Sequence, residues 1–145
     1  MTPEECRAYW ASRVEGHANS PSQYATRDRS ITDFQHHFWS PEVTPDDSIL
    51  ELGPNAGANL QRLFELGHRN LAGVEINSAA VSGMREYLPV LAAVADIRIG
   101  PLEDVLPELP DRSHDLVFAV GVLSHVHPES NWLFDEIARI ARRHI

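Results

Sequence analysis

The sequence predicts an α/β fold, a doubly wound and mostly parallel sheet, with two helices ahead of it. Three observations carry this expectation. From Ile49 onward, short apolar runs alternate with segments whose apolar residues recur at helical spacing. The runs are apolar almost throughout, as suits strands covered on both faces. The repeated order of strand, helix and strand calls for right-handed crossovers between parallel neighbours. At 145 residues the chain reads as one domain, with a helical segment at 1–43 and the sheet-forming core at 44–145.

Each element has its own signal. Thr2 and Glu5 are spaced as a capping box around Pro3, and Gly16 is the expected stop of the first helix. Residues 17–23 are polar and read as a loop. Ile31, Phe34, Phe38 and Trp39 then recur at helical spacing until Pro41. This second helix is amphipathic, and its apolar face is expected to pack on the sheet.

In the core, residues 49–52 form a first strand and 53–57, Gly-Pro-Asn-Ala-Gly, a turn. Leu60, Leu63 and Phe64 mark a helix face that Gly67 closes. Residues 71–76 are a second strand. Ser78 is placed to cap a helix with Val81, Met84 and Leu88 inward and Pro89 at its end. Residues 94–99 are a third strand, and 102–109 hold at most a short helix because of Pro107 and Pro110. Residues 115–121 are a fourth strand. Leu133, Ile137, Ile140 and Ala141 mark a last helix, after which His144 and Ile145 open a fifth strand.

Composition narrows the function classes. Hydrophobic residues make up 43% and charged residues 23%, which suits a globular chain rather than a disordered one. A formal net charge of −9 repels a polyanion at long range, so no nucleic-acid partner is expected. Arg139, Arg142 and Arg143 read as cations gathered at a helix C-terminus. No apolar run approaches the roughly 18 residues of a membrane helix, and the first residues lack a secretory signal; a cytoplasmic location is expected, without a membrane partner. The single cysteine, Cys6, excludes an intrachain disulfide.

The turn after the first strand is the candidate binding site, because open parallel sheets take ligands beyond the carboxyl ends of their strands. Gly53 and Gly57 permit tight backbone geometry there. Glu75 ends the second strand, where a carboxylate can accept both hydroxyls of a ribose. A dinucleotide fingerprint needs glycine at the first, third and sixth positions, whereas this chain has Gly53, Asn55 and Ala58. A phosphate-binding Gly-Lys-Ser/Thr is also missing. Glu51 beside the turn would repel a pyrophosphate but favours a cationic ligand. S-adenosylmethionine, with its sulfonium and ammonium, therefore fits better than a dinucleotide, and a turn without a ligand stays open on these residues alone.

The segment from Ile49-Leu50-Glu51-Leu52-Gly53 to Asn59-Leu60 resembles motif I of class I S-adenosylmethionine-dependent methyltransferases. Val74-Glu75-Ile76-Asn77 is similar to the acidic strand end that follows it. Residues 115–118 with 121–126 resemble the fourth-strand motif. More narrowly, Asn55, Asn59, Glu75-Ile76-Asn77 and the Gly-Val-Leu-Ser-His run resemble methylases associated with pseudaminic acid biosynthesis, with Trp39, Tyr24 and Arg27 as further points of likeness. The resemblance spans about residues 20–145. It implies a Rossmann-like sheet and S-adenosylmethionine as cofactor. Glu51, Gly53, Asn55 and Gly57 would line its methionine end, Glu75 its ribose, and Ile76, Asn77 and Leu102 its adenine. Val120 and Gly121 would close the site towards a small-molecule acceptor, a sugar-like one by the narrower resemblance.

Two departures bear on these expectations. After the third strand the chain has Gly100-Pro101-Leu102-Glu103-Asp104, so backbone groups or Glu103 would have to meet the adenine amine. The family's sheet has seven strands, and the fold is expected to be incomplete at the C-terminus. An uncovered edge on the fourth strand would favour self-association. A truncated, non-catalytic remnant is therefore the alternative to an enzyme, and a nucleotide-dependent oxidoreductase the less favoured one.

His125, His127 and His114 lie near the fourth strand, but with no cysteine or fixed carboxylate to support them no metal site is expected. His125 is the candidate general base, because the strand delivers it to the site and imidazole titrates near neutrality.

Overall fold

The computed structural model describes residues 1–14 and 20–145. Five strands form one all-parallel sheet in the order β3-β2-β1-β4-β5. They are β1 (Ile49–Leu52), β2 (Leu71–Glu75), β3 (Asp96–Ile99), β4 (His114–Ala119) and β5 (Ala141–His144). The order reverses beside β1, so the crevice between the tips of β1 and β4 is the switch point at which such sheets bind ligands.

Eight α-helices surround the sheet among the described residues: α1 (Pro3–Ala11), α2 (Pro21–Ala25), α3 (Ser30–Trp39), α4 (Ala58–Glu65), α5 (Ser78–Tyr87), α6 (Pro89–Ala92), α7 (Leu102–Val105) and α8 (Leu133–Ile140). Alternate residues of β1 feed two cores. Leu50 and Leu52 join Val74, Val117, Leu106, Leu133 and Ile137 on one face. Ile49 joins Leu60, Leu63, Met84, Leu91 and Phe118 on the other. The three central strands, β1, β2 and β4, are mostly apolar because both faces are covered, whereas the edge strands β3 and β5 carry exposed charged residues.

Most local signals act as expected. The Thr2 hydroxyl accepts from Glu5 N at 3.2 Å while the Glu5 carboxylate accepts from Thr2 N at 2.8 Å. Gly67 leaves α4 at φ 106°. Gly73 is required because Pro54 of the turn lies across β2, 2.8 Å from where a Cβ would stand.

Several expectations need correction. The first helix ends at Ala11, before Gly16, which lies outside the described residues. The expected loop at 17–23 gives way to α2 from Pro21, so three helices precede the sheet. Asn77, not Ser78, caps α5: its side chain accepts from the N–H groups of Ala79 and Ala80. Pro89 opens α6, since proline suits a first helical turn. Ala141 belongs to β5 rather than to α8, and Arg142 and Arg143 are strand residues paired with Asp115 and Asp47. That pairing replaces the expected helix-end role of both.

The edge of β4 is not free. β5 pairs with it from His114 to Leu116, with an irregular register. The outer edge is then β5, whose two arginines disfavour edge-to-edge pairing.

The largest difference concerns α3. Ile31, Phe34 and Phe38 face solvent, with Phe34 66% and Phe38 67% exposed, while Thr32 is buried. Hydrogen bonding decides the orientation. Thr32 Oγ1 donates to Asn59 Oδ1 at 2.7 Å, and Asn59 Nδ2 donates to Glu51 Oε1 at 2.6 Å. Outside this chain, Arg62 pairs with Asp33 and Arg29 with Glu65, which pins α3 to α4.

Candidate active site

The turn after β1 is built on left-handed backbone. Gly53 has φ 68°, Asn55 φ 51° and Gly57 φ 83°. At Gly53 a Cβ would also lie 2.7 Å from Val122 Cγ2, so the loop after β4 closes against this position. Asparagine is among the few other residues that visit the left-handed region readily.

Glu75 anchors the turn from the neighbouring strand. Its Oε2 accepts from Asn55 N at 2.7 Å and its Oε1 from Asn77 N at 2.8 Å. Burial raises its carboxyl above the usual range, while the N–H donors of Asn77, Asn55 and Ile76 pull it back down. The carboxylate keeps acceptor capacity for at least one further donor.

A cleft with about 940 Å³ of empty space, open to solvent, lies against this turn. Eight of the ten residues expected to hold a cofactor line it: Gly53, Asn55, Glu75, Ile76, Asn77, Leu102, Val120 and Gly121. His125 lines it too. The Asn77 side chain is already engaged, capping α5 and donating to Arg13 O at 2.6 Å, so Asn77 offers the cleft little more than its backbone.

Glu51 and Gly57 are not on this surface. Glu51 shares the sheet face of Glu75 but is covered by α4, where it is 1% exposed and bonded to Asn59. Burial pushes its carboxyl up to about 8, with Arg27 opposing the rise. Gly57 is glycine for packing: a Cβ there would meet Met84 at 2.8 Å and Leu91 at 3.1 Å. Glu103, the sequence candidate for the adenine amine, lines the cleft but accepts from Ser130 Oγ at 2.8 Å.

The cleft's outer wall was not legible from the sequence. Pro3, Cys6, Arg7, Trp10 and Arg13 bring α1 over the mouth. Cys6 Sγ donates to His125 O at 3.0 Å, and the Trp10 ring lies 4.4 Å from the His125 ring. His127 Nε2 reaches Met1 O at 3.1 Å. The capping box locates α1 as a helix, but docking of a helix 119 residues away from its partner loop leaves no local signal. Among the described residues no group of three His, Cys, Asp or Glu could hold a metal, and no helix is long and apolar enough to cross a membrane.

An all-parallel sheet with order 3-2-1-4-5, a left-handed turn and an acid at the next strand tip define a nucleoside-binding α/β domain. A model of the methyltransferase domain family matches residues 50–144. The chain belongs to that family: it is a methyltransferase domain of the S-adenosylmethionine-dependent class. No curated protein matches the sequence.

Solved structures share the fold at low identity. Phosphoethanolamine N-methyltransferase 1 of Haemonchus contortus is 17% identical with a TM-score of 0.73, over 98% of this chain and 31% of that one. Geranyl diphosphate C-methyltransferase of Streptomyces coelicolor A3(2) is 14% identical with a TM-score of 0.65, over 97% and 60%. The [4+2]-cyclase SpnF is 16% identical with a TM-score of 0.67, over 79% and 41%. The chain thus spans about half or less of the length of most of its structural neighbours.

Proposed function

We propose that this domain binds S-adenosylmethionine in the cleft and transfers its methyl group to a small-molecule acceptor. One observation carries the reading: Glu75 lines the cleft with its carboxylate held by backbone N–H groups and with acceptor capacity left for a ligand hydroxyl. When bound, the cofactor supplies a methyl group on a sulfonium, which leaves as a neutral thioether. The protein's part is then alignment and exclusion of water, which can supply up to about 7–11 kcal/mol. Glu75 orients the ribose. Gly53, Asn55 and Gly121 let backbone approach closely. Leu102 and Ile76 give apolar walls. The α1 helix shields the mouth, with Trp10 against His125. His125 is placed to take a proton from an acceptor hydroxyl or amine.

Two neighbours that match nearly the whole chain are by name methyltransferases of phosphoethanolamine and geranyl diphosphate. This supports a small acceptor held between the N-terminal helices and the loop after β4. A sugar-like acceptor rests on the resemblance to pseudaminic acid-associated methylases. A second reading is a domain that binds the cofactor without methyl transfer, since the same fold occurs in a protein named as a cyclase.

Calorimetric titration with S-adenosylmethionine, S-adenosylhomocysteine and NAD tests the site. Saturable binding of the first two without NAD is expected. Preference for NAD, or no binding of any, would reject the proposal. Labelled-methyl transfer to a panel of small hydroxyl and amine compounds separates the two readings.

A further inference from the structure

We propose that α1 is a movable strap: its N-terminal end lifts off the loop after β4 to admit the cofactor and docks back over it. The proposal rests on the cofactor reading only for the identity of the molecule enclosed.

The strap bridges the two rims of the crevice. At one end, Asn77 Nδ2, beyond the tip of β2, donates to Arg13 O at 2.6 Å, just past the helix. At the other, Cys6 Sγ donates to His125 O at 3.0 Å, His127 Nε2 reaches Met1 O at 3.1 Å, and the Trp10 ring lies 4.4 Å from that of His125. Pro3, Cys6, Arg7 and Trp10 recur at helical spacing, so one stripe of α1 faces the cleft that Glu75 lines from the sheet. A ligand filling the cleft from Glu75 to His125 lies beneath this helix.

The helix is held lightly. No residue of α1 is buried, whereas α4, α5 and α8 each bury three or more. Neither hydrophobic core includes a residue of α1, so lifting it uncovers little apolar surface and leaves the sheet intact. Its capping box is internal. Thr2 and Glu5 satisfy each other's N–H groups, and the first turn needs nothing from the body of the domain.

The two ends differ in strength. At the loop after β4 both hydrogen bonds are exposed, and a thiol is a weak donor. The contact of Arg7 with Glu103, at 4.0 Å, is at the limit of an ion pair and adds little near water. At the other end, Asn77 is 3% exposed and its amide oxygen is already fixed by capping α5. The N-terminal end is thus the one that lets go. The strap touches both the backbone and the ring of His125, so closing it also sets the candidate base over the enclosed molecule.

The chain has a single cysteine, so the rate at which Cys6 reacts with dithiobis(nitrobenzoate) reads how often the strap lifts. In the unliganded full chain, Trp10→Ala should speed this reaction at least threefold while the melting temperature barely moves. Saturating S-adenosylhomocysteine should slow it at least tenfold in the native chain. Surface plasmon resonance separates a gate from a wall. Trp10→Ala and Cys6→Ala should speed both association and dissociation of S-adenosylhomocysteine severalfold. Cys6→Ser, which keeps a donor for His125 O, should stay within twofold of the native chain. Faster dissociation with unchanged association, or labelling indifferent to Trp10→Ala, would make α1 a fixed wall and overturn the proposal. A large fall in melting temperature would overturn it too, by making α1 part of the core. If S-adenosylhomocysteine does not bind at all, the cofactor reading falls, while the cysteine reaction of the native and Trp10→Ala chains still decides whether the strap lifts.

Discussion

The backbone N–H of Asn55 donates to Glu75 Oε2 at 2.7 Å, which locks the left-handed turn after β1 to the tip of β2. Asn77 N holds the other oxygen at 2.8 Å. One side chain thus shapes the turn and faces the cleft, so its loss has two effects.

Replacing Glu75 with alanine strands both N–H groups, at about 1–3 kcal/mol each if they stay dry. We expect a lower melting temperature and at least tenfold weaker S-adenosylhomocysteine binding. Glu75→Gln should recover much of the stability, since its oxygen still accepts one N–H, but little of the binding. Calorimetry alongside thermal melts separates the two. Native-like binding by Glu75→Gln would remove the carboxylate from ribose recognition.

Gly53→Ala combines backbone strain at φ 68° with a Cβ placed 2.7 Å from Val122 Cγ2. Strain and overpacking are each worth about 1–3 kcal/mol. Adding Val122→Ala relieves the collision but not the strain. Denaturant titration should show the double variant intermediate between Gly53→Ala and the native chain. Full rescue would mean that crowding alone makes this position glycine.

Glu51 gives a pH test. Its folded carboxyl is held up to about 8 by burial, against the ordinary carboxylate value of 4.5. The folded state therefore holds the proton more tightly. Its contribution is full below about pH 4.5 and is lost as pH rises towards 8. Glu51→Gln keeps an acceptor for Asn59 and cannot ionise. It should match the native chain near pH 5 and melt several degrees higher at pH 8.5. Equal melting temperatures at both pH values would show that Glu51 is hydrated.

His36 and His68 give the opposite slope. Their Nε2 atoms stand 3.2 Å apart across the junction of α3 with the end of α4. Burial lowers both, and the neighbouring charge of Arg62 lowers His36 further while His36 lowers His68. Asp33 beside His36, and Asp47 and the Thr44 backbone beside His68, oppose the drop without reversing it. A base lowered in the folded state stabilises above its unfolded value of 6.5 and loses that contribution as pH falls. His68→Gln should flatten the acid limb of a stability curve between pH 6.5 and 5. An unchanged limb would assign it to other groups.

His125→Gln probes the chemistry. Its Trp10 contact and backbone bond to Cys6 lie outside the Glu75 turn, so S-adenosylhomocysteine binding should hold within threefold. Loss of transfer by about 10²-fold or more, with S-adenosylhomocysteine binding kept, would fit a general base. A rate unchanged at every pH would leave His125 as part of the wall.

Local chemistry made much of this protein legible. The unbroken apolar strands gave the α/β class, the glycines at 53 and 57 located the turn, and the acid at 75 marked the partner strand. Those signals are short in range, so sequence order suffices to read them. Tertiary structure alone decided which way α3 turns, because the partners of Thr32 lie on α4 and β1 rather than in its own helix. It also buried Glu51 against Asn59 of α4, because the helix after the turn folds back over that strand. It laid α1 over the cleft through contacts spanning more than a hundred residues. Periodicity shows that a helix has two faces; only the groups waiting across the interface determine which one is buried.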